Sequence, residues 1–171
     1  MTTSIFIAGF GGQGILFSGK VLAEMGLGMG KYVSWLPSYG PEMRGGTANC
    51  NVIISDEPVG SPMVINPDIL ICMNKPSFTK FQNNSKKNSY IFVDSSMIDD
   101  EIRKDDVKLI KVPATRLHKA ANLVLIGKII KETGMATFEQ LEYGLKKAIP
   151  ARKVERFNDN LEAIKIGWNY K

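Results

Sequence analysis

A single three-layer α/β domain, with a mostly parallel or mixed sheet and a helical C-terminal part, is the fold that this 171-residue sequence predicts. Three observations lead there. Short apolar runs alternate with segments of helical period as far as Val112, the pattern of strands linked by crossover helices. A glycine-rich turn, "IAGFGGQGILFSGK" (Ile7 to Lys20), joins the first apolar run directly to the first helical one. From Ala114 onward only the helical period is left, and no repeat, low-complexity run or linker divides the chain, so residues 1–171 read as one domain.

In chain order, Ser4 to Ala8 is a buried strand, and Gln13 to about Met29 is a helix whose apolar residues Ile15, Leu16, Leu22, Ala23 and Met25 leave little polar face. Tyr32 to Trp35 makes a second strand. "LPSYGPEMRGG" then breaks all periodicity and reads as a loop. Thr47 to Ser55 alternates Ala48, Cys50, Val52 and Ile54 against Thr47, Asn49, Asn51 and Ile53, a strand with one face better buried than the other. After the turn "DEPVGSP" come a short apolar strand (Ile69 to Met73), a short helix at "KPSFTKF", and strands at Tyr90 to Val93 and Lys108 to Val112.

The C-terminal part begins with a helix from Ala114 to Lys131, carrying Leu117, Ala121, Val124, Leu125 and Ile129 and closed by Thr133 and Gly134. Thr137 and Gln140 stand at capping-box spacing and open the next helix. Pro150 introduces the last, with the stripe Val154, Phe157, Leu161, Ile164 and Trp168. These stripes are core material. Together with the apolar first helix they exceed what one sheet easily covers, so association with another copy or a partner chain is expected.

Composition excludes several classes. With 44% apolar and 23% charged residues the chain is ordinary globular material. No run approaches the ~20 apolar residues of a membrane helix, and the start lacks the pattern of a secretory signal, so a cytoplasmic protein without membrane attachment is expected. Cys50 and Cys72 stand far apart, with His118 the only histidine; this chain alone does not offer a zinc or iron–sulfur ligand set, and both cysteines read as buried filler. The net charge of +5 suits an anionic ligand or acidic partner. The basic residues interleave with acids instead of aromatics, which argues against nucleic acid.

Gly9, Gly11 and Gly14 satisfy GxGxxG between a strand and a helix, the context in which backbone N–H groups and a helix start meet a pyrophosphate. A dinucleotide site also needs an acid after the second strand for the ribose, or an arginine for a 2′-phosphate, and none lies between Glu24 and Glu42. "GILFSGK" (Gly14 to Lys20) matches most of a P-loop, but Val21 follows where Ser or Thr must ligate Mg²⁺, so the nucleoside-triphosphatase reading fails. A tight strand-to-helix crossing without ligand remains the plain alternative. The loop "SYGPEMRGGT" sets Arg44 beside Gly45 and Gly46, an anion nest with a guanidinium fork, unless Arg44 merely pairs with Glu42. Both glycine segments leave the carboxyl ends of strands and can share one crevice.

"IAGFGGQGI" followed by "SYGPEMRGG" resembles the gamma subunit of the 2-oxoacid:ferredoxin oxidoreductases, and the resemblance continues through "NVIISDEPVGSP", "DILICMN", "VPAT", "AANLVLIG" and "GLKKAIPARKVERFNDNLEAIKIG". Between "VPAT" and "AANLVLIG" only "RLHK" stands where the family commonly has a longer segment. The resemblance implies a non-catalytic part of an enzyme that converts a 2-oxoacid and coenzyme A to acyl-CoA and CO₂ while reducing ferredoxin. Thiamine diphosphate, Mg and the iron–sulfur clusters would then sit on the alpha, beta and ferredoxin-like partners, and coenzyme A would bind at this subunit. It assigns Gly11, Gly12, Gln13 and Gly14 to the pyrophosphate and Ser38, Tyr39, Arg44, Gly45 and Gly46 to the rest of the ligand. The wording of the second loop leans to the 2-oxoglutarate type, ahead of branched-chain 2-oxoacids and pyruvate. Two rivals stand beside this: a free-standing nucleotide-dependent oxidoreductase with an atypical GxGxxG site, and a purely structural assembly subunit.

Overall fold

The computed structural model describes residues 1–39, 47–102 and 104–171. Its six strands are β1 (Thr2–Phe10), β2 (Tyr32–Tyr39), β3 (Thr47–Ser55), β4 (Ile69–Cys72), β5 (Ser89–Asp94) and β6 (Val107–Val112). They form one mixed sheet in the order β2-β3-β1-β4-β5-β6. β1, β4, β5 and β6 are parallel, while β3 runs antiparallel to both β1 and β2, which are therefore parallel to each other. Because side chains alternate across a strand, Ile5 and Ile7 of β1 enter one core and Phe6 and Ala8 the other. β3 repeats this, with Ala48, Cys50, Val52 and Ile54 on one face as its sequence alternation predicts, and Ile53 on the opposite one. Cys50 and Cys72 are buried on opposite faces of the sheet.

Helices lie on both faces, unequally. One face carries α2 (Lys75–Phe81), a 3-10 turn (Gln82–Asn84) and connecting segments. Asn51 pins one of these, its Oδ1 accepting the Val64 N–H at 2.9 Å. The other face is two helices deep: α1 (Ile15–Gly28) and α4 (Ala121–Thr133) lie on the sheet, with α5 (Phe138–Ala148) packed on α1 and α6 (Phe157–Asn169) on α4. Glycines permit this second tier. A Cβ at Gly127 of α4 would stand 2.1 Å from the Ile164 carbonyl oxygen, and one at Gly167 of α6 would stand 1.8 Å from that of Val124, so the two backbones touch. Gly144 of α5 meets the Val21 carbonyl of α1 in the same way, at 2.7 Å. Each large side chain buried between the tiers, such as Leu141, Leu145 or Ile164, contributes about 1.5–3 kcal/mol. The apolar stripes of α4, α5 and α6 thus meet one another and α1 within the chain, while Leu27, Leu117 and Val154 stay exposed.

Local departures from the sequence expectations have identifiable causes. β2 runs on to Tyr39 where a loop was expected from Leu36; Pro37 is admitted because β2 is an edge strand, where a missing N–H costs least. The helix expected from Ala114 to Lys131 is cut in two. α3 (Ala114–Leu117) ends at His118, which is extended (φ −161°, ψ 149°) and whose Nδ1 accepts the Ala120 N–H at 3.0 Å in place of a helical carbonyl. The last helix begins only at Phe157, after a 3-10 stretch Ala151–Arg156, and Val154 is 67% exposed, outside the stripe. α1 starts at Ile15, two residues later than expected, because Gly14 is its left-handed N-cap. The Thr137–Gln140 capping box is present. Among the described residues no helix is long and apolar enough to cross a membrane.

Candidate functional site

The glycine turn follows β1 and ends on α1. Gly12 (φ 92°) and Gly14 (φ 75°) lie in the left-handed region that a side chain makes costly. Gly9 has a different reason: a Cβ there would stand 2.7 Å from Gln13 Oε1 and Ile15 Cδ1. The Gln13 side chain turns inward, its Oε1 accepting the Phe10 N–H at 2.7 Å and its Nε2 donating to the Met73 carbonyl at 3.2 Å. That side chain holds the turn against β4, so the expected ligand role for it would fall to its backbone. From α4, Asn122 Nδ2 donates to the Gly14 carbonyl at 3.2 Å and to Ser18 Oγ at 3.0 Å, tying the turn to the C-terminal part.

The turn separates two hollows. The larger, about 530 Å³, is lined by Gly12, Gln13 and Gly14 together with residues of α3, the α3–α4 connection, α4 and the 3-10 stretch before α6. Four cations, Lys20, Lys119, Lys153 and Arg156, line it, and among the described residues no Asp or Glu does. Lys119 is held by Asp159 at 3.2 Å; Lys20, Lys153 and Arg156 form no ion pair among the described residues. The start of α1 borders this cleft through Gln13 and Gly14 and has no side-chain cap and no acid in its first turn, so the positive end of the helix is not neutralised by a side chain of its own. Cations around an uncapped helix start are the elements from which anion sites are built.

The smaller hollow, about 330 Å³, is apolar, lined by Phe10, Ile15, Leu16, Phe17 and Ala48 with Gly11, Gly12, Gly14 and Thr47. Thr47 opposes Phe10 in the β1–β3 register, and Tyr39 opposes Ala48 in the β2–β3 register. Both ends of segment 40–46 therefore meet the sheet edge from which the glycine turn leaves, although β3 stands between β1 and β2. Arg44, Gly45 and Gly46 lie outside the described residues. Ser38 is exposed on β2 and lines neither hollow; of Tyr39 only the backbone pairing is described. The inserted β3 also separates this sheet from the dinucleotide-binding order, in which the second strand pairs directly with the first.

In the sequence Lys20 stands out only as the lysine of the rejected P-loop and Lys153 only as one of many dispersed charges, and Arg156 carries no signal of its own within "GLKKAIPARKVERFNDNLEAIKIG". Thr115 and Asn122 carried no signal beyond being polar residues inside otherwise apolar words. His118, Asp159 and Glu162 bring donor atoms within 4.8 Å of one another. The His118 Nδ1 is occupied by the Ala120 N–H, which leaves the proton of the neutral ring on Nε2, facing Asp159 at 3.5 Å. In that tautomer the ring offers no lone pair to a metal.

A family model described as pyruvate ferredoxin/flavodoxin oxidoreductase matches residues 4–170. The ketoisovalerate oxidoreductase subunit VorA of Methanothermobacter marburgensis is 42% identical over 127 residues, covering 71% of this chain and 26% of that protein, so the chain spans about a quarter of that relative's length. The 2-oxoglutarate synthase subunit KorC of Methanothermobacter thermautotrophicus is 36% identical over 176 residues, covering 95% of this chain and 92% of that one. Among solved structures, the gamma subunit of a keto/oxoacid ferredoxin oxidoreductase from Geobacter sulfurreducens superposes with a TM-score of 0.83 at 27% identity, covering 98% and 95% of the two chains. The 2-oxoglutarate:ferredoxin oxidoreductase of Magnetococcus marinus, solved with 2-oxoglutarate, coenzyme A and succinyl-CoA bound, shares the fold with a TM-score of 0.84 at 22% identity, covering 98% of this chain and 30% of that one.

Proposed function

Since the chain belongs to the pyruvate ferredoxin/flavodoxin oxidoreductase family, we propose that it is the gamma subunit of a multi-subunit, cytoplasmic 2-oxoacid:ferredoxin oxidoreductase and that it contributes the binding site for the phosphates of coenzyme A. The reaction is the oxidative decarboxylation of a 2-oxoacid to acyl-CoA. Alpha, beta and ferredoxin-like partners carry thiamine diphosphate, Mg and the iron–sulfur clusters, and this chain is inactive alone.

One observation carries the binding role: the cleft at the start of α1 gathers Lys20, Lys119, Lys153 and Arg156 and, among the described residues, is lined by no acid. Coenzyme A brings a pyrophosphate and a 3′-phosphate, which such a set of donors complements. Gly11, Gly12, Gln13 and Gly14 approach the pyrophosphate through backbone, and the apolar hollow beyond the turn is suited to the pantetheine arm. Ser38, Tyr39, Arg44, Gly45 and Gly46 keep the role of a second wall in this proposal, since Thr47, the residue that follows Gly46, lines that hollow. The 2-oxoglutarate type is favoured by the KorC match along nearly the whole of both chains.

Calorimetry with coenzyme A tests the reading. Lys153→Ala and Arg156→Ala are each expected to weaken binding by about 1.5–3 kcal/mol, roughly ten- to a hundredfold, as is Arg44→Ala. Unchanged affinity in all three would leave the purely structural subunit as the better account. Tight NADH binding by the isolated chain would revive the free-standing oxidoreductase.

A further inference from the structure

Thr115, the second residue of α3, is exposed on the wall of the basic cleft, while the residue that bears the carboxyl group beneath it is at 0% exposure. That group is Asp94, at the carboxyl end of β5. Its Oδ1 accepts the Ser96 N–H at 3.0 Å, and its Oδ2 accepts the Thr115 N–H at 3.2 Å and the Thr115 hydroxyl at 2.5 Å. A carboxylate has no hydrogen to give, so every bond to it is donated by its neighbour. The hydroxyl hydrogen of Thr115 is therefore committed inward, in a short, charge-assisted bond that it cannot leave without stripping a donor from a buried carboxylate. What Thr115 has left for the cleft is oxygen lone pairs.

The charged residues of the lining have the opposite character, while the amides of Asn122 and Asn160 can donate or accept. Lys20, Lys119, Lys153 and Arg156 offer only N–H groups. The cleft is thus polarised, with cationic donors around the helix start and a fixed acceptor on the α3 side. A phosphate, itself all acceptors, is repelled at that acceptor and drawn to the cations.

We propose that Thr115 is a specificity residue, its Oγ1 accepting a hydrogen bond from an N–H group of the bound ligand and so setting which way round the ligand lies between its phosphate and non-phosphate ends. The proposal rests on the coenzyme A reading above. Coenzyme A carries such groups in two places, the adenine amino group and the amides of the pantetheine arm. Asp94 acts through Thr115 as a positioning residue.

The test uses the full chain, with Thr115→Val, Thr115→Ala and Thr115→Ser, titrated with coenzyme A, adenosine 3′,5′-bisphosphate and inorganic pyrophosphate. Val and Ala variants are expected to bind coenzyme A about five- to tenfold more weakly, the worth of one hydrogen bond, and Ser to restore most of the loss. Pyrophosphate has the charge but no N–H, and it should bind wild type and variants alike, which a general distortion of the cleft would not allow. Adenosine 3′,5′-bisphosphate separates the donors: a parallel loss identifies the adenine amino group, and no loss identifies a pantetheine amide. Coenzyme A affinity unaffected by Val and Ala, a Ser variant as weak as they are, or pyrophosphate affinity falling in step would each overturn the proposal. Failure of the wild-type chain to bind coenzyme A, with pyrophosphate still bound, would instead remove the coenzyme A reading and this proposal with it.

Discussion

Gly12 and Gly14 share a left-handed backbone, yet their surroundings differ. Nothing lies within 4 Å of a Cβ built on Gly12, whereas one on Gly14 would stand 2.4 Å from Asn122 Nδ2. Gly12→Ala should therefore cost only backbone strain, about 1–3 kcal/mol, and Gly14→Ala distinctly more because it also pushes Asn122 off the turn. Thermal melts of the two variants give the comparison; equal losses would mean that the Asn122 contact is not tight. The turn itself was legible, since its glycine spacing between a strand and a helix is a local signal. Its chemistry was less so. Gln13 spends its side chain on Phe10 and Met73, a choice that depends on β4 lying alongside β1. The cations around the turn come from α1, the α3–α4 connection and the stretch before α6, and only the packing of the C-terminal part over the sheet brings Lys20 within one cleft with Lys153 and Arg156.

Helix pairs carry the second lesson. α4 and α6 approach until Gly127 and Gly167 meet carbonyl oxygens of the partner helix. An added methyl has backbone, not a flexible side chain, in its way, so Gly127→Ala and Gly167→Ala should each destabilise the fold by about 1–3 kcal/mol or more, by forcing the helices apart. Chemical denaturation measures this, and stability equal to wild type in both would refute the close crossing. By contrast Thr137→Ala, which removes one half of a capping box at an exposed helix start, should cost about 1 kcal/mol. Most elements were readable because hydrophobic period and caps are local properties. Those misread were decided by contacts: β2 gained four residues by pairing with β3, Leu36 to Tyr39 facing Asn51 to Ala48. The long helix predicted after Val112 broke where a histidine ring nitrogen replaced a carbonyl as acceptor for Ala120.

Across the whole molecule, the sheet sets the response to acid and to thiol reagents. Asp68, just before β4, sits where burial alone would raise its carboxyl; the Ser4 N–H and hydroxyl and Lys86 outweigh this and hold it below the usual carboxylate range. A carboxyl depressed in the folded state binds fewer protons than in the unfolded chain, so it stabilises above the unfolded value near pH ~4 and that contribution is lost as pH falls through the lower folded value. Melting temperatures from pH ~6 to ~2 should fall, and Asp68→Asn should flatten part of the decline; an identical slope in the variant would assign the acid response elsewhere. Burial pushes the Cys50 thiol up to about 12 and Cys72 upward as well. Neither should react with a thiol reagent near pH 8 until the whole domain unfolds, and fast labelling of the native chain would contradict this. β1, α1, β2 and β3 are all drawn from the first 55 residues, and β3 pairs with both neighbours from within that span. That half of the sheet is thus closed by pairings within 55 residues of one another, and the far side of β1 takes Ile69–Cys72 in parallel. Contacts nearest in sequence lie in the β2–β3 ribbon, so that ribbon is expected to form ahead of its pairing with β1 and of the parallel pairings beyond it.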